Sequence, residues 1–396
     1  MKKILAVNAG SSSFKFKMFS YPSERVVCEG VADRIGIQGS TFMMKTPDGK
    51  KYKVQEDIPN IETAIKYLLK WLKKYQIILD MSEIVGVGHR VVNGGPHFKQ
   101  STIITEDNID KIYDIADMAP LHNAAEANGI QAFMNVLPDV PQVAVFDTTF
   151  HRTMGPVQFL YTLPYEYYER DAIRKYGAHG TSVHYIVNHM SEKLGKPVSD
   201  LNMIVCHLGG GASLTAVKNG KSFDTSMGFS PLAGVPMGTR TGDIDPSMIP
   251  RLMEREDLSL EEVTDIFENK SGLLGISGIS SDVRDVRGAA DTNKRAKLAL
   301  DIFCNRVIRY IGAFYTEMGG ADTIVFTAGI GEHEPIIRKE VLEGLKVLGV
   351  KLDAEANEQN VEHKITTDDS KIAAYVVPTN EELMIEREVV RLGNIK

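Results

Sequence analysis

Cysteine is scarce in this chain. Cys28, Cys206 and Cys304 lie far apart and form no CxxC pair. That excludes a disulfide framework and a cysteine-based zinc site, and leaves three small buried hydrophobes as the expectation. Long apolar runs are missing as well: none approaches the roughly 18 residues that a membrane-spanning helix needs. Met1-Lys2-Lys3-Ile4-Leu5-Ala6-Val7 mimics the start of an export signal, but its apolar run stops at Asn8 and a Gly/Ser turn, too soon for export. A cytoplasmic protein is expected. There is no basic block, and 45 Lys and Arg against 52 Asp and Glu give a net charge of −7. Nucleic-acid binding, which needs clustered cations, is thereby disfavoured. Anionic small substrates are not, because a few local arginines override a mildly negative total. The GxxxxGK[ST] phosphate loop is absent, and Gly209-Gly210-Gly211 has the wrong spacing for a dinucleotide fingerprint.

What is present is an ordinary globular composition, 43% hydrophobic and 24% charged, which rules out collagen, coiled coil and wholesale disorder. At 396 residues a single core stops growing, so two domains are expected. Ile4–Val7, Ile84–Val87 and Val143–Phe146 read as short buried strands, and Phe14–Phe19 alternates with period two. Over 61–75, Ile61, Ile65, Leu68, Leu69 and Leu72 recur at helical spacing, with Trp71 as a packing residue. Residues 296–318 predict a second amphipathic helix.

Two windows repeat. Residues 4–14 and 204–214 each read apolar strand, small-residue turn, then an alternating strand. Such a repeat half a chain apart predicts duplicated domains, each presenting a Gly/Ser hairpin loop; the boundary falls near residue 150. A third strand followed by a Gly loop is expected at Thr323–Glu332. Glycine turns let backbone N–H groups approach phosphate oxygens with no Cβ in the way. Three of them suit a nucleotide clamp, although any one alone is equally a plain tight turn. Arg90, Arg240 and Arg284 sit among glycines and small polar residues, which predicts loop arginines able to clamp anions bidentately. Each by itself could equally be a surface arginine paired with a neighbouring aspartate. His179, in Tyr176-Gly177-Ala178-His179-Gly180, follows the same pattern; alone, it is more often structural than catalytic.

Taken together, Asn8-Ala9-Gly10-Ser11-Ser12-Ser13 with Lys15, Gly88-His89-Arg90-Val91-Val92, Ala119-Pro120-Leu121-His122-Asn123, Phe146-Asp147-Thr148-Thr149-Phe150-His151, Asp224–Phe229, Met237-Gly238-Thr239-Arg240 and Pro378-Thr379-Asn380-Glu381-Glu382 resemble the acetate kinase family. The matching motifs run in order from residue 4 to residue 386. The resemblance implies an α/β fold of two duplicated domains of the actin-like ATPase type (acetate and sugar kinases, heat-shock ATPase, actin) around a nucleotide cleft. Residues 1–150, completed by 381–396, would form the first domain and 151–380 the second. It implies reversible phosphoryl transfer between ATP and acetate, a Mg2+ or Mn2+ ion, and a homodimer, with no nucleic acid or membrane as partner.

Carried over by position, Asn8 and Glu381 would be the metal pair, and Ser11, Ser13 and Lys15 would lie near the phosphates. Arg90 and Arg240 would hold the carboxylate and the transferring phosphoryl group, with His179 stabilising the transition state. Val92, Leu121 and Pro231 would wall the substrate methyl, with His122 beside them. His207, Leu208, Gly209, Gly210 and Gly211, then Asp282, Val283 and Arg284, then Gly329, Ile330, Gly331, Glu332 and His333 would carry the nucleotide. A carboxylate is already ionised at neutral pH and needs no general base. Asp147, a catalytic candidate beside an anionic substrate, is therefore read as orienting an arginine or a metal-bound water, while the acid/base role that the resemblance implies is possible but not required. The chain departs from the family at Ala178 (usually Phe), Gly210 (Asn), Val183 (His) and His333 (Asn). Ala178 leaves a propionate or butyrate kinase as an alternative, and an ATP-binding regulator without transfer is the alternative from another class.

Overall fold

β1 (Lys3–Ala9) sends its side chains to two covered faces, Ile4 and Ala6 to one, Leu5 and Val7 to the other. A strand buried on both sides needs apolar residues at every position, so it reads as an unbroken run. The computed structural model describes residues 1–118 and 122–396, with the side chain of Asp117 set aside. These form two units: Met1–Thr149 with Gly180–Tyr185 and Asn380–Lys396, and Phe150–His179 with Ile186–Thr379.

The first unit is built on eight strands: β1, β2 (Ser13–Ser20), β3 (Arg25–Asp33), β4 (Thr41–Lys45), β5 (Lys51–Gln55), β6 (Ile84–Val91), β7 (Thr102–Ile104) and β8 (Gln142–Phe146), in the order β5-β4-β3-β2-β1-β6-β8-β7. β1 to β5 form an antiparallel meander; β6 runs parallel to β1, and β8 parallel to β6. Helix α1 (Ile61–Lys74), capped by the Asn60 side chain, lays Ile65, Leu68 and Leu72 on one face. Its Trp71 packs edge-on against Phe42 with ring centroids 5.0 Å apart, a core role. Helix α2 (Asn123–Val136) shares that face through Ala132 and Phe133.

The second unit carries six strands: β9 (Met203–Leu208), β10 (Ala212–Lys218), β11 (Lys221–Thr225), β12 (Thr323–Thr327), β13 (His363–Lys364) and β14 (Ala373–Val376), in the order β11-β10-β9-β12-β14-β13. Its helices include α3 (Gly180–Leu194, of which the first turn and a half belongs to the first unit), α4 (Val283–Ala289), α5 (Lys294–Met318), α6 (Ala328–His333) and α7 (Pro335–Gly344). α5 buries Ala299, Leu300, Phe303, Val307, Ile311 and Phe314 in one core with β9, β10, β12 and α7. With the edges removed, the two sheets share one pattern. β3-β2-β1-β6-β8 and β11-β10-β9-β12-β14 are each an antiparallel meander followed by two parallel strands. The repeated windows are the β1–β2 and β9–β10 hairpins, at matching places in a duplicated α/β architecture.

Helix α8 (Glu381–Leu392) returns to the first unit and seats Ile385 and Val389 against Ile4, Ala6, Val143 and Val145. The glycines of β6 permit this. A Cβ at Gly88 would stand 2.3 Å from Ile385 Cγ2, and one at Gly86 2.4 Å from Val389 Cγ1. Both distances are below any real contact, so the sheet surface there must be bare backbone. The three cysteines are buried and free, and burial pushes the Cys28 thiol up to about 12. Among the described residues no helix is long and apolar enough to cross a membrane.

Candidate active site

Arg90 belongs to strand β6, next to its last residue, and not to a loop as its glycine-rich surroundings predict. The strand extends through Gly88-His89-Arg90 because β1 and β8 pair with it on both sides and supply the ladder that these residues would not hold alone. Its guanidinium is fixed at once: Nε and Nη2 donate to Asp147 Oδ2 at 3.0 and 2.6 Å. Asp147 stands directly after β8 and is fully buried. Its other oxygen accepts the Thr181 hydroxyl at 2.8 Å, its N–H donates to the Val91 carbonyl at 2.9 Å, and its carbonyl accepts Gly180 N–H at 2.8 Å. Asp147 therefore holds the Arg90 guanidinium in place.

Glu381 opens α8 and brings Oε2 to 3.9 Å from Arg90 Nε. Burial pushes its carboxyl up to about 7, with Arg90 opposing and Asp147 adding to the rise. A cavity of about 50 Å³ in this unit is lined by Asn8, Lys15, Arg90, Glu381 and Glu382. Asn8 and Lys15 face each other across the β1–β2 ladder, and the turn between them is closed by Gly10 N–H donating to Ser13 C=O at 2.7 Å. Ser11 and Ser13 lie on that turn. The structure thus gathers Asn8, Lys15, Arg90 and Glu381 from distant parts of the chain.

Past β6 the backbone is held by α2. Val92 N–H donates to Glu126 Oε2 at 2.9 Å, and Asn123 takes both polar groups of Asn93, accepting N–H at 3.2 Å and donating to C=O at 2.8 Å. Burial pushes the Glu126 carboxyl up to about 8. His122 precedes the helix. Leu121 lies outside the described residues, as do Ala119 and Pro120. Glu126 was not among the residues singled out from sequence. The available signal was its spacing: three residues beyond Asn123, it shares that residue's helix face.

In the second unit His179 stands just before α3 with φ +56°, a left-handed conformation uncommon for a residue with a side chain. Its Nδ1 lies 2.9 Å from Ser213 Oγ, and its ring stacks on His207 with centroids 4.0 Å apart. Both His179 and Arg240 reach the β9–β10 turn. A Cβ at Gly211 would stand 3.4 Å from His179 Nε2 and 3.7 Å from Arg240 Nη1. Arg240 is half-buried, and burial lowers its pKa. Among the described residues no carboxylate lies within 4.0 Å of it. Glu268 opposes that lowering from beyond ion-pair distance, and a desolvated guanidinium with no carboxylate paired to it among the described residues is suited to an anion from outside.

The Gly209–Gly211 turn follows His207 and Leu208 and is closed by Gly209 N–H donating to Gly211 C=O at 3.0 Å. Gly210 is exposed, with open space where a side chain would stand. Asp282 caps α4, whose first residue is Val283, and pairs with the exposed Arg284 two residues on. That arginine lies in the first turn of α4 and not on a loop, with the surface geometry its sequence context also allowed, and its donors hold Asp282 down at about 2. Gly329, Ile330, Gly331, Glu332 and His333 do not form the expected loop: they lie in the short helix α6, which starts directly after β12. The buried Arg338 of α7 imposes this by donating to the Gly331 and Glu332 carbonyls at 3.0 and 2.9 Å. Pro231 is half-buried in the loop after β11. Ala178 is buried in the second core, and its carbonyl accepts from His151 Nε2 at 2.8 Å.

Residues 3–387 match the model of the acetokinase family. The chain is 53% identical over 396 residues to the acetate kinase of Fructilactobacillus sanfranciscensis, covering all of both. Among solved structures it is similar to Porphyromonas gingivalis acetate kinase (TM-score 0.94, 39% identity, 99% of this chain and 100% of that one). A propionate kinase from Francisella tularensis is similar to the same degree (TM-score 0.93, 39% identity, 99% and 100%).

Proposed function

The chain belongs to the acetokinase family, and on that premise we propose that it transfers a phosphoryl group reversibly between ATP and acetate, giving acetyl phosphate and ADP. The observation that carries the reading is Arg240, a half-buried cation with no carboxylate within 4.0 Å among the described residues, beside His179 and the Gly209–Gly211 turn.

Acetate arrives ionised, so the reaction needs positioning and charge neutralisation as two anions meet in line. In the first unit Arg90, held by Asp147, takes the carboxylate, with Val92 and His122 beside the substrate. Arg240 and His179 meet the charge of the transferring phosphoryl group. Each such donor is worth about 2.7–4 kcal/mol, by analogy with oxyanion-hole donors. His207–Gly211, Asp282–Arg284 and Gly329–His333 carry the nucleotide, and Ser11, Ser13 and Lys15 approach its phosphates.

Asn8 and Glu381 fit a Mg2+ or Mn2+ ion. They line one small cavity, and the half-buried Glu381 carboxylate, with its ionised form disfavoured, gains from a cation beside it. Two protein oxygens suffice, because magnesium keeps waters and phosphate oxygens as its other ligands. When bound, the ion neutralises phosphate charge. Each unit is an actin-like ATPase domain. The exposed apolar side chains Val157, Leu163 and Tyr165 of the second unit support a homodimer, and use of ATP supports a cytoplasmic location.

The test is to supply purified protein with Mg-ATP and, in parallel, acetate, propionate or butyrate, and to trap the acyl phosphate with hydroxylamine. Acetate leading the longer acids supports the reading. A lead for propionate or butyrate keeps the mechanism and changes the substrate, with Ala178 as the residue to examine. ATP binding with no hydroxamate from any acid favours a regulator.

A further inference from the structure

The first turn of α2 holds a strand end by side chains alone. The β6–β8 ladder stops at Val91, opposite Phe146, so the next backbone groups have no sheet partner. Buried amides without partners are costly, and something must take these. Glu126 Oε2 accepts Val92 N–H at 2.9 Å, and Asn123 brackets Asn93 from both sides at 3.2 and 2.8 Å. Both side chains are buried, at 2% and 0% exposure. They stand one helical turn apart, so a single helix face makes all three bonds. The helix lies against the sheet: a Cβ at Gly129 would meet Ala9 Cβ at 2.7 Å, a distance that only glycine permits.

We propose that Glu126, with Asn123, is a positioning residue for the carboxylic acid substrate, clamping the Val92–Asn93 backbone so that the Arg90 guanidinium and the Val92 side chain keep a fixed spacing. This rests on the assignment of Arg90 and Val92 to the acid. Glu126 touches neither substrate nor reacting atoms; it acts through the Val92 amide. Two charged groups face it, Arg90 from β6 and Asp147 from the end of β8. Burial outweighs the Val92 amide and the attraction of Arg90, both of which favour the carboxylate, and keeps the protonated form to about pH 8. Ionised, Glu126 would set a further carboxylate against an arginine already bonded to Asp147 and faced by Glu381. Protonated, it holds the Val92 amide without competing for that arginine.

The test compares the parent with Glu126→Ala and Glu126→Gln, measuring kcat and KM for acetate and for ATP from pH 6.5 to about 9.5, a window centred on the carboxyl at about 8. Glu126→Ala leaves the Val92 amide unpartnered, and KM for acetate should rise about tenfold while KM for ATP stays within about twofold. The ratio of propionate to acetate kcat/KM should shift with it. Glu126→Gln keeps an acceptor and cannot ionise, so it should restore the acetate KM at pH 7 and flatten the rise in that KM above pH 8. A folded Glu126→Ala protein with unchanged acetate KM overturns the proposal, as does one whose acetate and ATP parameters decline together. If Glu126→Ala does not fold, the glutamine variant decides: an alkaline rise in acetate KM identical to the parent's overturns the proposal. Failure of the underlying assignment is seen separately, as a parent protein that phosphorylates no carboxylic acid.

Discussion

Arg90 aims two nitrogens, Nε at 3.0 Å and Nη2 at 2.6 Å, at the same oxygen of Asp147, while the other oxygen of Asp147 takes the Thr181 hydroxyl. One edge of the guanidinium is thus spent on the protein, and Nη1 is not part of the pair. Both oxygens of Asp147 accept in this arrangement, one from the cation and one from Thr181. Asp147→Asn keeps the shape and an acceptor but loses the charge, so Arg90 should wander. The expected result is a fall in kcat/KM for acetate of about a hundredfold, with ATP affinity little changed. Steady-state kinetics with each substrate varied checks this; equal losses for acetate and ATP would contradict it.

His179 depends on Ser213 in a comparable way. Its Nδ1 lies 2.9 Å from the Ser213 hydroxyl, which fixes the ring with Nε2 as the nitrogen nearer the Gly209–Gly211 turn. Ser213→Ala should lower kcat about tenfold with a smaller effect on either KM, and Ser213→Thr should recover most of it. Loss in the alanine variant without recovery in the threonine variant would point to packing instead.

Much of this was legible in the sequence, for a physical reason. β1, β8 and β9 are covered on both faces, so their apolar runs announce them, and α1 and α5 bury one stripe each. The repeated hairpins could be read because the same turn chemistry serves both units. Other features depend on partners remote in the chain. Arg90 looked like a loop residue since its own neighbours are poor strand formers; β1 and β8 make it a strand. Gly329–His333 looked like a loop because glycines punctuate it, yet Arg338 ties it into a helix. Glu126 had no local signature of function, since what it holds is an amide 34 residues away.

Stability should carry a pH signature from α8. Glu386 is buried with Oε1 lacking a hydrogen-bond partner. Burial, then the nearby Glu24 charge, pushes its carboxyl up to about 7, with Arg387 opposing. The folded protein therefore keeps a proton that the unfolded chain has already lost. Stability from this group declines as pH rises from its ordinary value of 4.5 through 7 and then levels off. Glu386→Gln has no such slope. Its Tm advantage over the parent should be larger at pH 8 than at pH 5; an advantage independent of pH would contradict the assignment.

Arg240 offers the most direct measurement. Because the described protein gives it no carboxylate within 4.0 Å, removing it should leave the fold nearly untouched and the phosphoryl charge unmet. Hydroxamate formation by Arg240→Ala, with Mg-ATP and acetate at saturation, should run at least about a hundredfold slower than in the parent, with Tm within a few degrees. Near-normal turnover in a folded Arg240→Ala protein would contradict the central claim that this guanidinium is reserved for the transferring group.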